Sequence, residues 1–382
     1  MGQRIYLDHA ATTAVAPEVF QAMQPYLAAA FGNPSGVYAE AREARAALEK
    51  ARAQVAGLIG ADPPEVYFTS GGSESDNWAI KGAAFAGRTR GNHLITTAIE
   101  HHAVLSTCRW MEKQGFRVTY VPPDAEGRID PDAVAAAIGK ETILISVMAA
   151  NNEVGTVEPV SQIGAIARER GILFHTDAVQ AAGILPVDVR ETGADLLSLS
   201  GHKFHGPKGI GALYIRRGTR IDPLIHGGAQ ERNLRAGTEN LAGIAGLGAA
   251  AERAGRNRSE NALRMAGLRD RLIQGILEEI PGSRLNGPEK DRLPGNCHVS
   301  FEGVDGAALV MRLDLAGIAA SVGSACVSGA AEVSHVLLAM GRSEEEARSS
   351  LRLTLGEETT AEEIGETLER LKRIIREMRE RG

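Results

Sequence analysis

The pattern of hydrophobic and polar positions predicts an α/β unit over the first two thirds of the chain. Between about residues 64 and 215, short β-branched or apolar runs alternate with longer segments of helical periodicity. The runs are VYFTS, HLITTAI, RVTYV, TILISVMA, ILFHTDA, LLSLS and ALYI. Strands that alternate with helices are typical of βαβ units around a mostly parallel sheet. Ligands bind beyond the carboxyl ends of strands in such sheets, so the residues after each run are candidates for a site.

The pattern changes after about residue 255. The polar segment RAGRNRSEN introduces a helix and is followed by HVSFEG, a MRLDLAGIAA helix and SSLRLTLG, which together predict a smaller α+β unit. The final helix opens with a capping box formed by Thr360 and Glu363. Its apolar stripe, predicted to face the core, consists of Ile364, Leu368, Leu371, Ile374 and Met378. We therefore predict a large domain over residues 16–254 and a small domain over residues 1–15 and 255–382.

The composition fits a globular enzyme and disfavours other classes of protein. The chain has 382 residues, is 43% hydrophobic, and carries a net charge of -6 without a basic block that would suit nucleic acid. Its longest weakly polar stretch, residues 241–251, is shorter than the roughly 20 apolar residues that a membrane span needs. The start, MGQRIYLDHAATT, lacks the basic and apolar regions of a signal peptide. We expect a cytoplasmic protein with no membrane and no direct nucleic-acid partner.

A glycine-serine turn follows the first apolar run. In YFTSGGSESDNWAIKGAA, a helical pattern begins at Gly71, Gly72 and Ser73. Free backbone N–H groups, the helix dipole and the Ser73 hydroxyl suit a phosphate group. An ordinary serine-capped turn explains this segment equally well when it is taken alone. The chain lacks G-x-x-x-x-G-K-[ST] and a well-placed G-x-G-x-x-G, which disfavours ATP and NAD as ligands.

The run ILFHTDAVQAAG contains two candidate polar residues. Asp177 and Gln180 come just past an apolar strand, where a carboxylate can face a ligand. A nearby anion keeps a pyridinium nitrogen protonated, which makes the ring an effective electron sink. A helix-capping aspartate is also common at such junctions, and this alternative stays open.

The segment LLSLSGHKFHGPKGIGALYI supplies a candidate nucleophilic amine. Lys203 follows a strand directly and is flanked by Gly201, Gly206 and Gly209. Partial burial lowers the pKa of a lysine and makes its amine nucleophilic enough to bond a carbonyl carbon. Lys208, in the next turn, is the competing candidate.

The histidines offer a metal site as an alternative. His202 and His205, with His101 and His102, have the imidazole groups that zinc favours. However, H-x-x-H in a loop lacks the helical spacing and the adjoining glutamate of the zinc protease motif. We therefore predict no resident metal.

The three cysteines are odd in number and widely spaced, which argues against a disulfide framework and a zinc ribbon, so at least one thiol should be free. Cys326 lies between Gly323 and Gly329 in SVGSACVSG, a small-residue loop in which we expect a mobile, exposed thiol. Both properties suit a nucleophile or a sulfur carrier. Cys108, in a helical pattern, and Cys297, beside a strand pattern, are expected to be buried and structural.

Taken together, these segments resemble the cysteine desulfurases of the NifS and IscS type, which are class V, fold-type I pyridoxal-phosphate enzymes. The resembling segments are YLDHAATT, GNPSG, FTSGGSESDN, EHHAV, NNEVGT, HTDAVQ, SLSGHKFHGPKGIGALY, RAGTEN, GSACVSG, SHVLLAMG and LRLTLG. The resemblance implies an α/β fold whose large domain has a mostly parallel seven-stranded sheet flanked by helices. A smaller α+β domain would carry the Cys326 loop. The implied cofactor is pyridoxal 5'-phosphate.

The resemblance also implies a role for each candidate residue. Lys203 would hold the cofactor covalently, and Asp177 would bind its pyridine nitrogen. His101 would stack on the ring and assist proton transfer. Arg352 would bind the substrate carboxylate as a bidentate guanidinium can, and Cys326 would receive the sulfur. The other implied cofactor contacts are Gly72, Ser73, Asn152, Gln180, Ser200, His202 and Thr238.

Two of these residues carry further implications. Asn152 would also contact the substrate, and Thr238 would reach the phosphate of the neighbouring subunit, so a homodimer is expected. The implied reaction converts L-cysteine to L-alanine and leaves a persulfide on Cys326. That sulfur would pass to an iron–sulfur scaffold, a tRNA-thiolation protein or another carrier, and a transient iron–sulfur contact through Cys326 stays open.

Three alternatives remain at this point. A selenocysteine lyase and a class V aminotransferase would use the same fold. A non-catalytic sulfur-carrier subunit would keep the fold without the cofactor.

Overall fold

The computed structural model describes residues 4–323 and 333–380. The predicted thiol loop, including Cys326 and Gly329, therefore lies outside the described residues. The helices are α1 (Pro17–Ala28), α2 (Ala39–Leu58), α3 (Gly72–Gly87), α4 (His102–Lys113), α5 (Pro131–Ala137), α6 (Val160–Glu169), α7 (Val189–Thr192), α8 (Leu241–Glu279), α9 (Gly306–Leu315), α10 (His335–Ala339), α11 (Glu344–Arg348) and α12 (Ala361–Arg379). The strands are β1 (Ile5–Tyr6), β2 (Val66–Thr69), β3 (His93–Thr97), β4 (Arg117–Val121), β5 (Thr142–Ser146), β6 (Leu173–Asp177), β7 (Leu196–Ser200), β8 (Gly211–Ile215), β9 (Ser283–Leu285), β10 (Asn296–Phe301), β11 (Ile318–Ala319) and β12 (Ser350–Thr354).

Seven of these strands form one twisted layer in the order β2-β8-β7-β6-β5-β3-β4. Strand β8 runs antiparallel to both of its neighbours, and the other pairs are parallel. Each strand coincides with one of the seven apolar runs, so the mostly parallel seven-stranded sheet is confirmed. Strands β3, β5, β7 and β8 are buried at every residue, as expected for a sheet whose two faces are both covered.

Separate apolar clusters pack against this sheet. One cluster joins α2 and α8 to the sheet through residues such as Val55, Leu247 and Leu197. Another joins α3 and α4 to it through Trp78 and Met111. The helices thus hold the strands rigidly, and the carboxyl ends of β5, β6 and β7 are fixed next to one another.

The carboxyl-terminal third of the chain has a core of its own. Strands β12, β10 and β9 form an antiparallel sheet, and its cluster includes Leu272, Phe301 and Leu371. Strand β1 pairs in parallel with β11, Ile5 opposite Ile318, so the first residues of the chain join this unit. The predicted capping box and core-facing stripe of α12 are confirmed.

Two details differ from the sequence prediction. Helix α8 runs without a break through the polar segment at residue 255, and the domain boundary at 254/255 stays a prediction. The predicted MRLDLAGIAA helix is wrong over its last residues, because α9 ends at Leu315. Gly317 adopts a left-handed φ of +84°, which stops the helix, and Ile318–Ala319 then pair with β1. Among the described residues, no helix combines the length and apolar character needed to cross a membrane.

Candidate active site

A cavity of about 500 Å³ lies at the carboxyl ends of β5, β6 and β7. The predicted site residues that line it are Gly72, Ser73, His101, Asn152, Asp177, Gln180, Ser200, His202, Lys203 and Arg352. Residues that are up to 280 positions apart in the chain, Gly72 and Arg352, therefore face one space. Thr238 is exposed and does not line this cavity, and Cys326 lies outside the described residues.

One end of the cavity suits an anion. Helix α3 begins at Gly72 after Gly71, whose φ of +153° favours glycine, and the Ser73 side chain is exposed beside it. A methyl group placed on Gly72 would lie 2.7 Å from a methyl carbon of Val179, so glycine lets the helix end approach the segment after β6. Ser200 and His202 complete this end. Burial lowers the pKa of His202 to about 4, so its ring is neutral at pH 7. Its Nδ1 is 3.1 Å from Thr12 Oγ1.

Asp177 lies at the last position of β6 and is buried. Its Oδ1 accepts a hydrogen bond from the Val179 N–H at 2.9 Å, so the carboxylate caps the following turn and also faces the cavity. Burial raises the pKa of Asp177 to about 6. The Val179 hydrogen bond and the positive charge of Lys203 act in the opposite direction and lower it. The carboxyl is therefore largely ionised at pH 7. Nearby, Gln180 Nε2 donates to the Ala10 carbonyl at 3.0 Å.

Lys203 occupies a short 3-10 turn, Gly201–Lys203, directly after β7. Its Nζ donates to the carbonyls of Ala10 at 2.6 Å and Ala11 at 2.9 Å. Burial, followed by the positive charge of Arg352, lowers the pKa of Lys203 to about 8. The amine is thus neutral far more often than that of a solvated lysine. Lys208 is exposed and does not line the cavity, so Lys203 is the lysine that the fold presents there.

Arg352 reaches the cavity from β12 of the small unit. Its Nη1 donates to the carbonyls of Asn152 at 2.9 Å and Gly323 at 3.2 Å, and its Nη2 pairs with Asp8 Oδ1 at 2.9 Å. Only 4% of Arg352 is exposed, so this guanidinium is held in a fixed direction. Asp8 was missed at the sequence level, although it stands within the resembling segment YLDHAATT.

His101 precedes α4 and lines the cavity. Its Nδ1 accepts the Ala103 N–H at 3.1 Å, so the neutral ring carries its proton on Nε2. Desolvation and the positive charge of Lys203 lower its pKa to about 4, which keeps it neutral. The ring of His102 lies 4.7 Å from that of His335, and His205 Nδ1 is 3.1 Å from the Ala14 carbonyl. In the described ranges, no three His, Cys, Asp or Glu side chains come together as a metal site would require.

Two further acids, Asp76 and Glu153, line the cavity and were also missed. Both stand in segments of the family resemblance, but neither follows an apolar run directly. The remaining cysteines agree with the prediction. Cys108 and Cys297 are free and buried, and burial raises the pKa of each thiol to about 12, which makes them unreactive.

The cavity has a complementary group for each part of pyridoxal phosphate. The amino-terminal end of α3 with Ser73 and His202 suits the phosphate, and the buried Asp177 carboxylate suits the ring nitrogen. Lys203 supplies an amine of lowered pKa for the aldehyde. The residues present therefore fit this cofactor.

Comparisons with known proteins agree on the family to which this chain is similar. The family model described as Aminotransferase class-V matches residues 5–366. The cysteine desulfurase IscS of Methanosarcina thermophila is 53% identical over 375 residues, which are 98% of this chain and 93% of that protein. A solved NifS-like protein superposes with a TM-score of 0.92 at 39% identity, covering 98% of this chain and all of that one. SspA, solved in complex with cysteine, is 41% identical with a TM-score of 0.81, covering 92% of this chain and 98% of that one.

These matches confirm the predicted fold class and the predicted cofactor. Each spans nearly the whole of both chains, so the likeness is not confined to a shared motif. Because the family model, the relatives and the cavity agree, the chain belongs to the class V aminotransferase family and, within it, to the pyridoxal-phosphate-dependent cysteine desulfurases.

Proposed function

We propose that this chain removes sulfur from L-cysteine, releases L-alanine and carries the sulfur as a persulfide on Cys326. The observation that carries the proposal is the convergence of Lys203, Asp177 and Arg352 on one cavity with an anion-binding helix end. The substrate is supported by a relative solved in complex with cysteine. The proposal includes the roles of the individual residues in binding, proton transfer and sulfur transfer.

The residues divide the work of binding and proton transfer. Bound pyridoxal phosphate supplies an electron sink for the bonds around the substrate Cα. Arg352 holds the substrate carboxylate, with Asn152 beside it, and Asp177 holds the proton on the ring nitrogen. Lys203 anchors the cofactor and, once displaced by substrate, takes the Cα proton. His101, which lines the same cavity, would assist the transfer through its Nε2 proton.

The sulfur step uses Cys326 as the nucleophile. Its thiolate attacks the substrate sulfur, an S–S bond forms, and the Cβ–S bond breaks with its electron pair left on Cβ. A proton then completes the methyl group of alanine. Of the three cysteines, Cys108 and Cys297 are buried with raised pKa values, which leaves Cys326 as the candidate.

The proposal includes a homodimer. Large apolar side chains are exposed on α1 and the segment after it, the most exposed being Leu27, Phe31 and Val37. Exposed apolar side chains that stand close together in the chain favour a protein partner. Thr238, exposed and outside the cavity of its own subunit, is in the proposed dimer a contact to the partner's phosphate.

The proposed sulfur acceptor is an iron–sulfur scaffold, a tRNA-thiolation protein or another carrier. The proposed location is the cytoplasm, which the unpaired thiols of Cys108 and Cys297 favour because reducing compartments keep thiols free.

The deciding experiment compares Cys326→Ala with the matched variant Cys108→Ala. We expect the purified protein to be yellow and to lose its visible band on borohydride reduction. Cys326→Ala should keep the band but lose nearly all release of alanine from cysteine, and Cys108→Ala should keep both. Mass spectrometry should find one added sulfur on Cys326 after incubation with cysteine.

Other outcomes identify the alternatives. Unchanged alanine release by Cys326→Ala would overturn the persulfide mechanism. Consumption of cysteine that depends on an added keto acid would favour an aminotransferase. A colourless protein with no borohydride-sensitive band would favour a non-catalytic carrier.

A further inference from the structure

A row of polar side chains crosses the buried interior of the sheet behind Asp177. Ser146 on β5, His175 on β6 and Ser198 on β7 are each at most 2% exposed. His175 Nδ1 is 2.8 Å from Ser146 Oγ, and His175 Nε2 is 3.0 Å from Ser198 Oγ. Because side chains alternate along a strand, His175 and Asp177 lie on the same face of β6. Buried polar side chains are tolerated in a core when they hydrogen-bond to one another, as these three do.

The row ends at the carboxyl group of Asp76, on α3. Asp76 Oδ1 is 3.7 Å from His175 Nε2, the nitrogen that is also 3.0 Å from Ser198 Oγ, and the Ser198 hydroxyl acts to lower the pKa of the Asp76 carboxyl. Asp76 Oδ1 accepts no hydrogen bond from the described residues, and Asp76 is only 1% exposed. An ionised carboxylate with one oxygen buried and unbonded is costly, so the geometry favours the neutral acid.

The charges around Asp76 point the same way. The acids that act on it are Asp177 on β6 and Glu100 after β3, and the Ser198 hydroxyl opposes them in part. His175 gives no compensating positive charge, because burial lowers its pKa to about 3. Lys203 acts on the Asp177 carboxyl and favours its ionised form. Burial and the charge of Asp177 accordingly raise the pKa of Asp76 well above its usual range.

We propose that Asp76 is a positioning residue that holds a proton beside Asp177, so that the buried pair carries one negative charge, on the carboxylate nearest the ring nitrogen. The inference rests on the proposed function, because it assigns that nitrogen to Asp177. Two neighbouring buried carboxyls cannot both ionise readily, and one of them takes a proton. Asp76 is the member that does so, because Lys203 favours the ionised form of Asp177 and the neutral His175 brings no positive charge to Asp76. Asp177 is thereby left ionised at the pH at which the enzyme works.

Infrared spectroscopy of the holoenzyme tests this proton directly. At neutral pH, the wild-type spectrum minus that of Asp76→Asn should contain the C=O stretch of a protonated carboxyl. The matched variant Glu100→Gln, which alters a neighbouring buried acid, should keep the Asp76 signal. A difference spectrum that contains only carboxylate bands would overturn the proposal.

A second variant tests the coupling to Asp177. Asp177→Asn removes the negative charge next to Asp76. The pH at which the protonated C=O signal of Asp76 disappears should therefore fall by about one unit or more, which is a tenfold loss of the proton affinity of Asp76. An unchanged midpoint would overturn the pairing. If Asp76→Asn does not fold, Ser198→Ala serves instead, and loss of the hydroxyl that lowers the Asp76 pKa should raise the midpoint.

The borohydride-sensitive band of the wild-type protein separates a failure of the proposed function from a failure of the Asp76 proposal. Its absence would overturn the proposed function and this inference together. Its presence with an ionised Asp76 would overturn this inference alone.

Discussion

Arg352 shows how a buried charge can be compensated and still remain available to a ligand. Asp8 neutralises one side of the guanidinium, and two backbone carbonyls fix its plane. Its Nε–H takes no part in these bonds and has no hydrogen-bond partner among the described residues. An arginine held in this way is prepared for a planar carboxylate at little further cost in side-chain entropy.

Replacement of Arg352 should therefore act on substrate binding. We expect Arg352→Ala to raise the KM for cysteine roughly 10- to 100-fold, because a charge-assisted hydrogen bond contributes about 1.5–3 kcal/mol. Arg352→Lys should fall between wild type and Arg352→Ala, since it keeps the charge without the planar fork. Steady-state kinetics give the answer. The control is Arg117→Ala, an exposed arginine paired with Glu141, and an unchanged KM in Arg352→Ala would contradict the assignment.

At the scale of elements, the close approach of α3 to the end of β6 builds the anion-binding end of the cavity. Gly72 permits this approach because any side chain there would meet Val179. The packing of a helix end, and not a single side chain, thus sets the direction of the backbone N–H groups.

This packing makes Gly72→Ala a sensitive variant. We expect cofactor affinity to fall about 10- to 100-fold, because overpacking of this size costs about 1–3 kcal/mol. Val179→Ala in the same chain should restore much of the affinity by removing the opposing methyl groups. Spectroscopic titration of the cofactor-free protein measures both. Gly57→Ala is the control, since an added methyl group meets nothing within 4 Å there, and failure of the double variant to recover would refute the steric explanation.

The elements also show what the sequence could and could not predict. Asp177 and Lys203 were found because each follows an apolar run directly, and strand ends converge in a parallel sheet. Asp76 lies within a helix, where a polar residue usually faces solvent, and only the packing of α3 on the sheet buries it. Asp8 was missed because its partner Arg352 is 344 positions away and no local pattern links them.

At the scale of the whole molecule, buried ionisable groups predict how stability depends on pH. Buried histidines such as His175 and His298 have pKa values lowered to about 3, against 6.5 in an unfolded chain. They disfavour the folded state increasingly as the pH falls below 6.5. Buried acids such as Glu100 and Glu158 have pKa values raised to about 8, against 4.5 when unfolded. They disfavour it increasingly as the pH rises from 4.5 to 8.

The opposing trends should give the cofactor-free protein its greatest stability near pH 6. We expect the free energy of unfolding to be lower at both pH 4.5 and pH 8. These two pH values are the pKa values of the acids in the unfolded and in the folded chain. Denaturant titration at the three pH values measures it. In Glu100→Gln the loss between pH 6 and pH 8 should be smaller, and a stability that rises steadily to pH 8 would contradict the prediction.

The pairing of β1 with β11 has a consequence for the order in which the active site is completed during synthesis. Asp8 leaves the ribosome 344 residues before Arg352, and the carbonyl of Ala10 waits 193 residues for Lys203. At ribosomal rates of about 5–20 residues per second, the first interval is about 20–70 s. Asp8 stays without this partner for that time, so a nascent chain can complete the mostly parallel sheet early but gains a working site only once Arg352 has emerged.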